Sequence, residues 1–198
     1  MNPKYNETEI KLYAPDLAAV QHRLEAAGAQ LTAPRVYERN VRYDNRERTL
    51  TPHGMVVRLR EDTRVRLTYK DDGTVDNGVV SRFEAEVEVS DFAAMETILG
   101  KLGYTPYLIY EKYRTTYELN GTEIVLDEMP YGNFVEIEGD KDAIEQVMTV
   151  LELGSAKRYD GSYSTLFERI RKKRGLAFTD LTFAHFQGVT VSEADFEA

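Results

Sequence analysis

The stretch NETEIKLY, Asn6–Tyr13, decides how the chain is read. Side chains alternate along a strand, so Glu7, Glu9 and Lys11 share one face and Thr8, Ile10 and Leu12 the other. One face carries only charge, with its acids beside a base. Such a face is either solvated or lines a cavity that holds something both cationic and anionic. The choice depends on whether the pattern recurs along the chain.

It does recur. Arg58 and Arg60 oppose Val57 and Leu59, and Arg66 and Lys70 oppose Val65, Leu67 and Tyr69. Arg82, Glu84, Glu86 and Glu88 oppose Phe83, Ala85, Val87 and Val89. Lys112 and Arg114 oppose Tyr113 and Thr115, Asp127 opposes Leu126, and Glu136 and Glu138 oppose Val135 and Ile137. One such strand is ordinary for an antiparallel sheet with one wet face. The alternative for the whole set is a barrel turned inside out, apolar outward under helices and charged inward around a tunnel. Eight strands leave room inside for side chains or one small ligand. Arginines and lysines on such a wall suit phosphate oxygens. Carboxylates without thiolates or paired histidines suit a hard cation such as Mg2+ or Mn2+.

The rest of the chain sets limits. Its 198 residues are 42% hydrophobic and 30% charged, with net charge −9, so a sizeable core is available and non-specific nucleic-acid binding is disfavoured. The absence of cysteine excludes disulfides and thiolate metal sites. No apolar run approaches 18 residues and MNPKYNETE is no signal peptide, so a soluble cytoplasmic protein is expected. His22, His53 and His185 lack metalloenzyme spacing, and no phosphate-binding Gly-rich loop of the Walker type occurs.

Eight strand-like runs end in turn signals, the clearest being the hairpin YELNGTEIVL with Asn120-Gly121. The segment DDGTVDNG reads as a flexible loop, NVRYDN as a short strand, and the tyrosines of YLIYEKYRTTY as outer packing. Helical spacing appears at Leu17, Val20 and Leu24, at Phe92, Met95 and Leu99, in DKDAIEQVMTVLEL, and in GSYSTLFERIRKKRG. The first two belong to a duplication: ETEIKLYAPDLAAVQHRLEAAGA aligns with EAEVEVSDFAAMETILGKLGY, Glu7 and Glu9 matching Glu84 and Glu86. One domain over residues 1–175 is expected, followed by an extension over 176–198 whose phenylalanines are too apolar for a solvated tail.

ETEIK, VRLR, LTYK, RFEAEVE, EKYR, LDEMPYGNFVEIEG and SYSTLF, in that order, resemble the CYTH or triphosphate tunnel metalloenzyme superfamily, most nearly its class IV adenylyl cyclase branch. The resemblance implies an α+β fold around an eight-stranded antiparallel barrel. It implies Glu7, Glu9, Glu136 and Glu138 as metal ligands supported by Asp127 and Glu86. It also implies Lys11, Arg58, Arg60, Lys70, Lys112 and Arg114 as triphosphate binders, with Lys11, Arg60, Lys112 and Arg114 catalytic. The expected activity is metal-dependent conversion of ATP to cyclic AMP and pyrophosphate. Hydrolysis of tripolyphosphate, thiamine triphosphate or a nucleoside triphosphate is the alternative, and non-catalytic polyphosphate binding a third. Neither nucleic acid nor membrane is expected as a partner, and the protein is expected to be a monomer or homodimer. The family often places a base near its C-terminal S-Y pair. Here Lys157 and Arg158 come a few residues early, and two readings stay open: one of them closes over a tunnel mouth, or both face solvent on a surface segment.

Overall fold

The computed structural model describes residues 5–197. Eight strands close into one antiparallel barrel: β1 (Asn6–Tyr13), β2 (Gln30–Asn45), β3 (Val56–Glu61), β4 (Val65–Asp76), β5 (Val79–Val89), β6 (Tyr104–Leu119), β7 (Thr122–Met129) and β8 (Gly132–Glu138). Their order around the ring is β1-β5-β4-β3-β2-β6-β7-β8, and β8 pairs back on β1. The duplication is visible in this order. β1 pairs with its counterpart β5 and β2 with its counterpart β6, so the two halves meet like against like.

Four helices lie outside: α1 (Leu17–Ala26), α2 (Phe92–Lys101), α3 (Lys141–Val150) and α4 (Tyr163–Arg174). Asp16, Asp91 and Ser162 cap α1, α2 and α4 by accepting a first-turn N–H, and Gly175 ends α4 in the left-handed conformation. α1 and α3 bury Val20, Leu24, Ile144 and Met148 against Ile10, Leu12, Ile124 and Val135 of the barrel. α2 brings Leu99 to Val41, Tyr43 and Leu59. α4 lays Tyr163, Leu166, Phe167 and Ile170 beside Phe134. The apolar clusters thus sit on the outer face, and the charged face lines the inside.

The C-terminal segment packs onto the α4 cluster. Leu181 runs alongside β6, donating to Ile109 O at 2.8 Å and accepting from Glu111 N at 2.9 Å. Phe178, Phe186 and Phe196 join Phe167 and Phe134, and Arg174 forks onto Asp195 at 2.6 and 2.8 Å.

Two local expectations are corrected. The stretch DDGTVDNG is not a loop: β4 continues to Asp76 through a register shift between Lys70 and Gly73. Asn77 (φ 50°) and Gly78 (φ 81°) then make the turn, as Asn120 (φ 54°) and Gly121 (φ 78°) do in the next half. Nor is NVRYDN a short strand. It is the end of β2, which begins at Gln30 and absorbs Pro34 within the register shift between Ala33 and Val36, one of three along its pairing with β6.

Candidate active site

The antiparallel register stacks the inward positions into rows. Lys11 stands opposite Glu136 on β8, and Arg114 opposite Asp127 on β7. Side chains then close these rows into networks. Lys11 reaches Glu136 at 3.0 Å, and Arg114 forks onto Asp127 at 2.6 and 2.7 Å while also touching Glu136 at 2.7 Å. Lys112 meets Asp127 at 2.9 Å, and Tyr163 of α4 donates to the same carboxylate at 2.7 Å. Across the barrel Lys70 holds Glu7 at 2.8 Å and Glu84 at 2.6 Å, while Arg82 bridges Glu7 and Glu9. Glu86 is taken up by Thr68, Arg58 and Arg66.

These residues surround a cavity of about 340 Å³. Every predicted site residue lines it except Asp127, which has no exposed surface and lies behind Lys112 and Arg114. Glu88 departs from the charged set: it is exposed and pairs with Arg64.

Burial would raise the Glu136 carboxyl, but Lys11, Arg114 and Lys112 outweigh it and hold the group well below the usual range. Burial likewise opposes a charge on Lys11, and Glu136 and Glu9 more than restore it. Lys11 and Glu136 therefore hold each other in the charged form at 3.0 Å.

Sequence reasoning missed part of this wall. Glu38 is buried between Arg60 and Lys112, at 3.5 Å from each, and four surrounding bases overcome burial to keep it ionised. Arg60 also donates to Asn40 at 3.2 Å. Tyr110, expected in outer packing, faces the tunnel and accepts from Arg58 at 3.2 Å. It shares the parity of Lys112 and Arg114, a signal that was available. Arg42 lines the cavity as well.

Lys157 and Arg158 are not over a tunnel mouth. Lys157 pairs with Glu197, and Arg158 with Glu145 at 3.0 Å and Asn77 O at 2.8 Å. The stripe that docks α4 delivers Tyr163 and two serines instead, and the bases before it stay on the rim.

The two ends of the tunnel differ. At one, Glu9 on β1, Glu138 on β8 and Glu123 on β7 stand directly opposite one another. Like charges in register repel. Burial and the nearby Glu7, Glu123 and Glu9 push Glu138 up to about 7. The other end opens into a vestibule of about 530 Å³ shared by β2, β4, Tyr107 and the start of α4.

The donor set fits a hard divalent cation. It is all carboxylate oxygen, and the Glu9–Glu138–Glu123 row has a charge excess that a cation would relieve. Among the described residues no three carboxylates already form a cage, because Glu7, Glu9 and Glu136 are held by bases. Three buried donors of cavity-lining residues, Arg42 Nε, Arg58 Nε and Arg66 Nε, have no partner among the described residues. Unsatisfied buried donors call for acceptor oxygens.

Comparison with known proteins agrees with this fold. The CYTH domain family model matches residues 6–165. The PH1819 protein of Pyrococcus horikoshii OT3 is similar in structure, with 28% identity over 85% of this chain and 99% of that one and a TM-score of 0.68. A Vibrio parahaemolyticus protein described as a candidate adenylate cyclase aligns at 18% identity, 83% and 98% coverage and TM-score 0.68. HpAC1 of Hippeastrum, described as a candidate adenylyl cyclase with a dominant triphosphatase activity, aligns at 18%, 82% and 95%, with TM-score 0.62. Among curated proteins none is significantly similar.

Proposed function

This chain belongs to the CYTH domain family, and on that premise we propose that it is a divalent-metal-dependent enzyme acting on the triphosphate chain of a nucleotide, in the manner of a class IV adenylyl cyclase. The observation that carries the reading is the convergence of bases and carboxylates on one closed interior, with buried donors left over for oxygen ligands. A protein that merely solvated its charge would not enclose Lys112 at 2% exposure.

Lys11, Arg58, Arg60, Lys70, Lys112 and Arg114 would hold phosphoryl oxygens. Their carboxylate partners fix them in advance, so little reorganisation is needed as charge develops. Glu7, Glu9, Glu136 and Glu138 would hold the cation. When bound, it would neutralise charge on the phosphoryl oxygens and the leaving group. Asp127 and Glu86, engaged by bases and hydroxyls, would orient the phosphate binders. In the cyclase reaction the ribose 3′-hydroxyl attacks the α-phosphorus and pyrophosphate leaves. Positioning and electrostatics supply most of the catalysis in such transfers.

The second reading is hydrolysis, with water attacking the terminal phosphorus. It is favoured by the description of HpAC1, which combines a cyclase-like name with triphosphatase activity. Incubation with ATP, tripolyphosphate and thiamine triphosphate, each with Mg2+ or Mn2+, separates the readings by product. Cyclic AMP and pyrophosphate identify the cyclase, and orthophosphate the hydrolase. No turnover of any substrate under either metal would leave only a binder.

A further inference from the structure

Arg42 stands apart from the other tunnel bases. Lys11, Arg58, Arg60, Arg66, Lys70, Arg82, Lys112 and Arg114 each have a carboxylate within 4.0 Å. Arg42, only 7% exposed, has none among the described residues. Its contacts are neutral: Ser164 Oγ at 2.5 Å, Met55 O at 3.5 Å, and the Tyr107 ring at 5.6 Å. Its Nε is buried without a partner. A buried charge without a counter-ion is costly. Burial above all presses against its protonation, Tyr107 and Tyr110 offset this only in part, and Arg58 and Arg82 add to it.

The vestibule lining includes Asp71, Asp72, Asp160 and Glu168, offset in part by Arg48 and Arg171, and none of these acids pairs with Arg42; its direct neighbours at the start of α4 are hydroxyls. Ser162 caps α4 and accepts from Thr165 N at 3.2 Å, while its hydroxyl contacts Ser164 Oγ at 2.8 Å. The first-turn N–H groups of a helix have no partner within it and carry partial positive charge. Ser162, Tyr163 and Ser164 line the tunnel, and Ser162 and Ser164 also line the vestibule, as does Arg42. The two cavities therefore meet at a guanidinium, two hydroxyls and a twelve-residue helix start, all suited to one anion.

We propose that Arg42, Ser162, Ser164 and the first turn of α4 form an anion subsite that takes a phosphoryl group where the polyphosphate chain passes from tunnel to vestibule. The proposal rests on the polyphosphate reading of the tunnel and extends it. The base that closes this mouth comes from β2, and not from the segment before α4 that holds Lys157 and Arg158. The counter-ion missing from the free protein is then supplied by the ligand itself.

The signature to measure is opposite changes in binding and stability. The full chain, Arg42→Gln and Arg42→Lys are titrated calorimetrically with inorganic tripolyphosphate, and the thermal midpoint of each is read without ligand. Arg42→Gln should weaken tripolyphosphate binding about 10- to 100-fold, as expected for loss of a charge-assisted contact. Its ligand-free midpoint should stay level or rise, because an unpaired buried charge has gone. Arg42→Lys should recover part of the affinity, since it keeps the charge and loses the fork. Unchanged affinity in Arg42→Gln overturns the subsite, and so does lost affinity accompanied by a lowered ligand-free midpoint, which marks a structural arginine. Failure of the unaltered chain to bind tripolyphosphate would overturn the tunnel reading and the subsite with it.

Discussion

The wall formed by β6, β7, β8 and β1 and the two mouths of the same tunnel are charged on opposite terms. In the wall, Lys112, Arg114 and Lys11 share Asp127 and Glu136, and Tyr163 completes the set. At the mouths, Glu138 faces Glu9 and Glu123, and Arg42 faces hydroxyls. On β6 the two mouths are ten residues apart, since Glu118 pairs with Glu123 and Leu108 with Arg42 (118 − 108 = 10). A satisfied ionic network fixes side chains in a unique arrangement. Unsatisfied charge leaves free energy to be recovered on binding. The wall thus reads as the preformed part of the site, and the mouths as the part completed by ligand and cation.

Breaking the wall should cost the most. Asp127→Ala removes the carboxylate shared by Lys112, Arg114 and Tyr163, leaving Lys112 with Glu38 at 3.5 Å and Arg114 with Glu136 at 2.7 Å, and loss of one partner of a buried network costs about 3–5 kcal/mol. Chemical denaturation measures it. A loss under about 1 kcal/mol, the range of exposed pairs, would show that the wall is no more than a wet surface.

Next comes a base that faces the cavity. Arg60→Ala should weaken tripolyphosphate binding by about 1.5–3 kcal/mol, the range for hydrogen bonds to charged groups. Arg60→Lys should restore only part, because its fork spans Glu38 and Asn40. Full rescue by lysine would mean that only charge is used there.

How much of this was legible depended on parity surviving along each strand. NETEIKLY, VVRLRE and NFVEIEG are regular, so Glu7, Arg58 and Glu136 could be placed from alternation alone. β2 hid its contribution because Pro34 and two register shifts interrupt it before Glu38, with a third after Arg42, and Glu38, Asn40 and Arg42 went unread although they alternate correctly between these breaks. Tyr110 was assigned by residue type to the outside, against its parity. The paired and unpaired charges could not be told apart in sequence at all, since pairing depends on which strands become neighbours around the ring. The docking of α4 was visible in its apolar stripe, but the destinations of Lys157 and Arg158 depend on Glu197 and Glu145, which are distant in sequence.

The acidic mouth offers a subtler test through pH. Glu138 is raised to about 7 in the folded protein against an ordinary 4.5. The folded state then holds the extra proton, so this group's stability contribution is full below about pH 4.5 and lost as pH rises through 7. Metal-free thermal midpoints should fall between these limits, Glu138→Gln should flatten the fall, and Mg2+ should offset it most above pH 7. A Glu138→Gln profile identical to that of the unaltered chain would remove the carboxylate row from the account. Smallest of all should be the Lys157→Ala, Arg158→Ala double variant. Both bases sit in rim pairs, so turnover should be unchanged and stability should move by no more than about 1 kcal/mol. A selective loss of turnover would return the tunnel closure to that segment.

The most direct measurement is the thermal midpoint at pH 8 with tripolyphosphate alone, with Mg2+ alone and with both. A metal-bound polyphosphate in the tunnel predicts that the pair stabilises more than the two separate shifts added together, approaching about 2.7 kcal/mol at a hundredfold excess over Kd. The shift should be lost in a protein carrying both Arg60→Ala and Glu136→Gln. No shift under any combination, or an equal shift in that double variant, would contradict a charged tunnel built to bind a triphosphate chain.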